Sequence, residues 1–271
     1  ERPYDVAGWT LPMMMGLQAG AVLELWEPPS ERRLTLIKSE NDVRRDFALP
    51  LWTSDKSPIA NPVKPGVRIA IYKNSRAGNM DEGWTRFVFD TFNVPFQSLS
   101  ESAISNENPR TKFDAIVLPS EPRPSADMDA DADSPRGISD AGFRNLARFV
   151  DDGGTLICFD GSCGQLIRRW SLPLKNVLEG LRSSEFYCPG SILRLNVDTK
   201  HPIARTMLED TDAYFVNSSA FEATDRERVK VVARYAKENL LPSGWLLGED
   251  KLKDKIALAE VTMGKGRIIL F

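Results

Sequence analysis

Three short apolar, β-branched runs constrain this chain more than anything else in it: residues 67–72 (VRIAIY), 113–118 (FDAIVL) and 155–159 (TLICF). Each has the length and composition of a strand buried on both faces. Helical patterns follow the runs. Residues 81–93 carry Trp84, Phe87, Val88 and Thr91 at helical spacing, with Asp81 and Glu82 placed to suit the dipole of a first turn. Ser139 is a candidate N-cap for a helix carrying Phe143, Leu146, Ala147 and Val150 and stopped by Gly153-Gly154. A third helix is expected over about 162–170, directly after the third run. Strand and helix alternating through short connections argue for an α/β domain with a mostly parallel sheet covered on both faces.

The later chain is strand-rich, at 191–197, 214–217, 229–235, 243–247, 256–261 and 267–271. These segments are expected to extend the sheet or add an antiparallel part. Before the first run, residues 1–62 read as an irregular N-terminal arm. Prolines recur there at Pro3, Pro12, Pro28, Pro29, Pro50, Pro58 and Pro62, and the apolar pieces between them reach strand length only. The stretch 58–66 (PIANPVKPG) marks a boundary, so the division is an arm over 1–62 and one α/β domain over 63–271. Residues 120–136 (SEPRPSADMDADADSPR) form a polar Pro/Asp/Ala/Ser tract expected to be a surface loop.

With 42% hydrophobic and 27% charged residues, the chain has ordinary globular composition. A net charge of −3 gives no reason to expect nucleic acid as a partner. No apolar run reaches the roughly 20 residues that a spanning helix needs. The opening at Glu1 and the stop inside an apolar run at Phe271 suggest a piece of a longer protein. Three cysteines, Cys158, Cys163 and Cys188, make no disulfide framework. One bridge is possible, and Cys158 reads as a small core residue.

The exit of the third run, 155–165 (TLICFDGSCGQ), is the place where chemistry is easiest to imagine. A buried strand passing through a tight small-residue turn into a helix can display one side chain above the sheet, where the helix N-terminus stabilises a thiolate or oxyanion. Cys163 or Ser162 is the candidate nucleophile, with Asp160 beside it. Such a nucleophile needs a base in hydrogen-bond reach, and the chain has a single histidine, His201. His201 stands before Pro202 at a turn entering a short helix, where a capping role competes with a catalytic one. One histidine and scattered cysteines give no recognisable zinc set. The Asp129/Asp131/Asp133 alternation lacks the glycine and terminal glutamate of a calcium loop. Neither 161–164 (GSCG) nor 264–266 (GKG) fits a nucleotide fingerprint. The aromatic pieces Trp84/Phe87 and Tyr214/Phe215 fit a core face better than a base-stacking platform.

Four phrases are distinctive: RPYDVAGWTLP at 2–12, NMDEGWTR at 79–86, LRSSEFYCPGS at 181–191 and GWLLG at 244–248. They resemble the region downstream of the peptidase domain in bacterial zinc carboxypeptidase-like proteins, where a class I glutamine amidotransferase-like domain follows. The resemblance covers nearly the whole chain. It implies a flavodoxin-like three-layer sandwich, and a secreted or periplasmic parent that trims peptides at their C-termini with zinc. Zinc is expected only in that preceding domain, because this sequence has neither a His-x-x-Glu motif nor a later histidine to complete it. In active amidotransferase-like relatives a cysteine occupies the elbow and a histidine lies late in the chain. Here Cys163 falls near the elbow, and no histidine follows His201.

The expectation is a non-catalytic accessory domain that packs against a carboxypeptidase-like domain, no cofactor being needed in this segment. Apolar arm residues, including Trp9, Leu11, Met13 to Met15 and Leu23, are then candidates to cover the sheet or the partner. Two alternatives stand beside it. One is a Cys163-dependent hydrolase or amidotransferase. The other is a peptide- or saccharide-binding module using the cleft at the C-terminal ends of the parallel strands, lined by Asn74, Asn79, Asp160 and Gly161.

Overall fold

The computed structural model describes residues 63–73, 79–120, 137–216 and 218–271. The arm over 1–62, the tract over 121–136 and Asn74 lie outside the described residues.

Eleven strands join in one mixed sheet with four α-helices among the described residues. The first half alternates: β1 (Ile69–Lys73), α1 (Met80–Thr91), β2 (Gln97–Ser100), α2 (Glu101–Asn106), β3 (Ala115–Leu118), α3 (Asp140–Asp151), β4 (Thr155–Cys158) and α4 (Gly161–Trp170). The second half is made of strands: β5 (Leu174–Asn176), β6 (Ser191–Val197), β7 (Asp210–Phe215), β8 (Phe221–Ala223), β9 (Val229–Tyr235), β10 (Ile256–Met263) and β11 (Gly266–Leu270). The strand order is β2-β1-β3-β4-β11-β10-β9-β6-β7, with β5 and β8 attached beside β10. Pairings from β2 to β11 are parallel and those from β11 onward antiparallel. β11 is therefore the seam.

The period-2 alternation of the parallel strands sorts their residues onto two faces. Tyr72, Ile116, Leu156 and Ile268 meet Ile104, Phe143, Leu146 and Leu166 of α2, α3 and α4 in the main core. The opposite face, with Ile69, Ile71 and Val117, is a smaller cluster closed by Val94 and by Phe89 of α1. One helix on this side and three on the other make the layers unequal among the described residues. Ser139 caps α3, its Oγ accepting from the Gly142 amide at 3.1 Å, and the helix ends as expected at Gly153, φ +100°.

The structure departs from the sequence reading in four places. Trp84, Phe87 and Val88 do not form a core face: they are 66%, 61% and 49% exposed. Residue 82 turns inward instead, and the buried Glu82 carboxylate pairs with Arg86 one turn on. Of Tyr214 and Phe215, only Phe215 is buried, because β7 alternates. Residues 243–247 make isolated bridges to Tyr187 and Ile192, not a strand. Gly244 at φ +110° bends the chain there, and the fully buried Ser191 hydroxyl donates to the Trp245 carbonyl and accepts from its amide. Finally, His201 is followed by turns, not by a short helix. Its Nδ1 accepts from the Ile203 amide at 3.3 Å, so the ring satisfies the backbone locally.

Candidate functional site

Main-chain hydrogen bonds draw three strand ends together at the exit of β4. The Phe159 amide donates to the Leu118 carbonyl at 3.1 Å, and the Asp160 amide donates to the Phe271 carbonyl at 3.2 Å. The Phe159 and Phe271 rings pack with centroids 4.8 Å apart. Small residues then start α4 at once, since Gly161 already lies in the helix. The sharp bend thus falls on Asp160, at φ 40° and ψ −109°, a region that costs a residue with a Cβ on the order of 1–3 kcal/mol. This is the position at which a nucleophile elbow presents its side chain. Asp160 occupies it.

Cys163 and Ser162 lie past the bend and point into the protein. The Ser162 hydroxyl is buried and donates to the Pro119 carbonyl at 2.6 Å. The Cys163 thiol is fully covered, donates toward the Cys158 carbonyl at 3.2 Å, and sits 3.0 Å from the Cys158 sulfur. His201 is elsewhere. Its Nε2 is 4.0 Å from Glu260 on β10, a carboxylate also paired with Lys230 and Arg267. Arg267 in turn reaches Thr155, where β4 begins, whereas the bend is where β4 ends. The fold does not bring the histidine to either candidate nucleophile.

A cleft of about 180 Å³ opens beside the bend, lined by Asp81, Trp84 and Thr85 of α1, Ser120 after β3, and Phe159 and Asp160 after β4. Asn79 frames it. Its Oδ1 caps α1 by accepting from the Asp81 amide at 2.9 Å, while its Nδ2 donates to the Ser120 carbonyl at 2.8 Å. Gly161 contributes its amide toward the Ser120 hydroxyl at 3.4 Å. Burial pushes the Asp160 carboxyl up from 3.8 to about 6, and the nearby Asp81 charge adds to the rise. Hydrogen bonds from the Ser218 side chain and Ser219 backbone oppose it.

Asp160, Asn79 and Gly161 are thus gathered at the C-terminal ends of the parallel strands. Asp81, Trp84, Thr85, Ser120 and Phe159 line the cleft with Asp160; nothing in the sequence reading placed them there, and Trp84 was read as part of a core face. The available signal was position, because Phe159 directly follows β4, Ser120 stands two residues past β3 and Asp81 lies in the first turn of α1. Among the described residues, no group of three or more His, Cys, Asp or Glu is arranged to hold a metal ion. No helix among them is long and apolar enough to cross a membrane.

No family model matches the chain, and no curated protein matches it. Solved structures do. A ThuA-like protein from Bacteroides uniformis aligns with TM-score 0.42 and 11% identity over 76% of this chain and 80% of its own. A GMP synthase-type protein from Thermoplasma acidophilum gives TM-score 0.45 and 10% identity over 74% and 81%. A β-galactosidase from Bacillus circulans gives TM-score 0.45 and 11% identity over 75% of this chain and 28% of the enzyme. Likeness at this level carries no functional argument, and nothing in these matches bears on a carboxypeptidase.

Proposed function

We propose that residues 63–271 are a glutamine amidotransferase-like form of the flavodoxin-like fold, serving as a non-catalytic accessory domain of a zinc carboxypeptidase-like protein. The parallel strands run β2-β1-β3-β4-β11, the 2-1-3-4-5 order of flavodoxin-like sheets, which supports the fold. The outward apolar stripe of α1 carries the functional reading. Met80 is 80% exposed and continues the patch made by Trp84, Phe87 and Val88. An apolar helix face turned to solvent, beside a small core cluster, is suited to packing against another domain. The preceding carboxypeptidase-like domain is the partner that the sequence resemblance implies.

Isothermal titration of the chain with the separately produced preceding domain tests this. Binding should weaken at least tenfold when Trp84 and Phe87 are both replaced by Ser. No binding by the unaltered chain would sink the proposal.

A second reading has its own observation, the Asp160 carboxyl held in an aromatic-walled cleft. It supports recognition of a short peptide or a saccharide at the strand ends, through carboxylate hydrogen bonds and stacking on Trp84. A thermal-shift panel of such ligands that leaves the unfolding midpoint unchanged would remove it. Thiol chemistry at Cys163 has less support, because its sulfur would have to leave a closed core and find a base.

A further inference from the structure

We propose that Cys158 and Cys163 are a disulfide-forming pair whose bridge ties the last residue of β4 to the first turn of α4 beneath Asp160. Their sulfurs lie 3.0 Å apart, and both side chains are fully buried. Main-chain bonds hold each end in place. The Cys158 carbonyl accepts from the Phe271 amide at 3.1 Å, and the Cys163 amide donates to the Asp160 carbonyl at 3.0 Å. The approach of the sulfurs is therefore built into the backbone. A disulfide bond of about 2.05 Å asks the two atoms to close by only about 1 Å.

Other roles for the pair fit less well. Two sulfurs without a third ligand do not make a metal site, and no such group occurs among the described residues. Cys188 cannot substitute as a partner, since it belongs to the core cluster under the antiparallel strands while Cys158 and Cys163 belong to the other.

A low-molecular-weight disulfide such as oxidised glutathione supplies the oxidation. One protein thiolate attacks it, releasing one glutathione thiol and leaving a mixed disulfide. The second protein thiolate then displaces the other glutathione thiol. Two S–H bonds are lost, one S–S bond forms, and two electrons pass to the oxidant. With both sulfurs covered, exchange proceeds before the turn closes during folding or when α4 opens at its first turn. Burial also pushes the Cys158 thiol up, which slows attack in the closed state.

The test is a thiol count on the whole chain. Protein refolded with oxidised and reduced glutathione, or held folded in the same buffer, is unfolded in acid and alkylated with N-ethylmaleimide. Intact mass should show one label, against three after reduction, matching the three cysteines. Cleavage before aspartates without reduction should leave fragment 152–159, which holds Cys158, joined to fragment 160–197, which holds Cys163 and Cys188, and the same join should persist in Cys188→Ser. The Cys188→Ser variant should take up no label when oxidised. Three labels on the oxidised chain, a persistent glutathione adduct, or a bridge that includes Cys188 would each overturn the proposal.

Discussion

Asp160 combines a backbone bend that residues with a Cβ avoid and a carboxyl that burial makes hard to ionise. Its folded-state value lies above the unfolded one, so its charge opposes folding. That opposition is complete above about pH 6 and disappears below about 3.8. Asp160→Asn should therefore stabilise the chain by about 1–2 kcal/mol at pH 7.5, the full shift being discounted for partial exposure. At pH 3.5 the gain should vanish. Urea midpoints at the two pH values measure it, and equal midpoints at pH 7.5 would contradict it. The sequence pointed to Cys163 or Ser162 because 155–165 (TLICFDGSCGQ) runs from a strand through small residues into a helix. The helix begins at Gly161, close to where it was expected, and the bend falls before it, on Asp160. Asp160 was named in the cleft from the sequence; that the bend falls on it was not legible, because positive φ is only a modest preference of aspartate.

Elements whose periodicity is strong were legible within a few residues: β1, β3, β4, β6, β9, β10, β11 and helices α3 and α4 sit where apolar spacing and caps placed them. The missed strands explain themselves. β2 is an edge strand of sequence QSLS with one buried residue, and β5 and β8 have three residues each. For α1 the spacing located the helix and misjudged its rotation. The face beneath it is narrow, and it accepts Phe89 together with the Glu82–Arg86 pair. Replacing both Trp84 and Phe87 by Ser should then shift unfolding by no more than about 0.5 kcal/mol. Phe89→Ala should cost about 2–3 kcal/mol, having partly buried contacts to lose. Denaturant titration distinguishes the two. A large loss in the double variant would place the stripe in the core.

Across the whole molecule, the β10–β11 hairpin and the end of α3 meet backbone to backbone. A Cβ at Gly266 would lie 2.2 Å from the Gly154 carbonyl oxygen and 2.3 Å from that of Val150. Neither neighbour is a flexible side chain that can yield. Gly266→Ala should destabilise the chain by about 3 kcal/mol or more. Because Val229 and Val261 share a core with Leu156 and Ile268, the loss should appear in one calorimetric transition. A two-step melt with only one step shifted would mean that the halves unfold independently.

The central position of β11 also bears on how the protein is made. Its sulfur-to-backbone contact from Cys158 to Ile269 spans 111 positions, so β4 has no right-hand neighbour until residues 266–270 leave the ribosome. During synthesis the strand that ends at Cys158 is an unpaired, apolar edge, open to adhesion with other nascent chains. Closure of so distant a pairing is slow. That edge of β4 stays open until residues 266–270 are made.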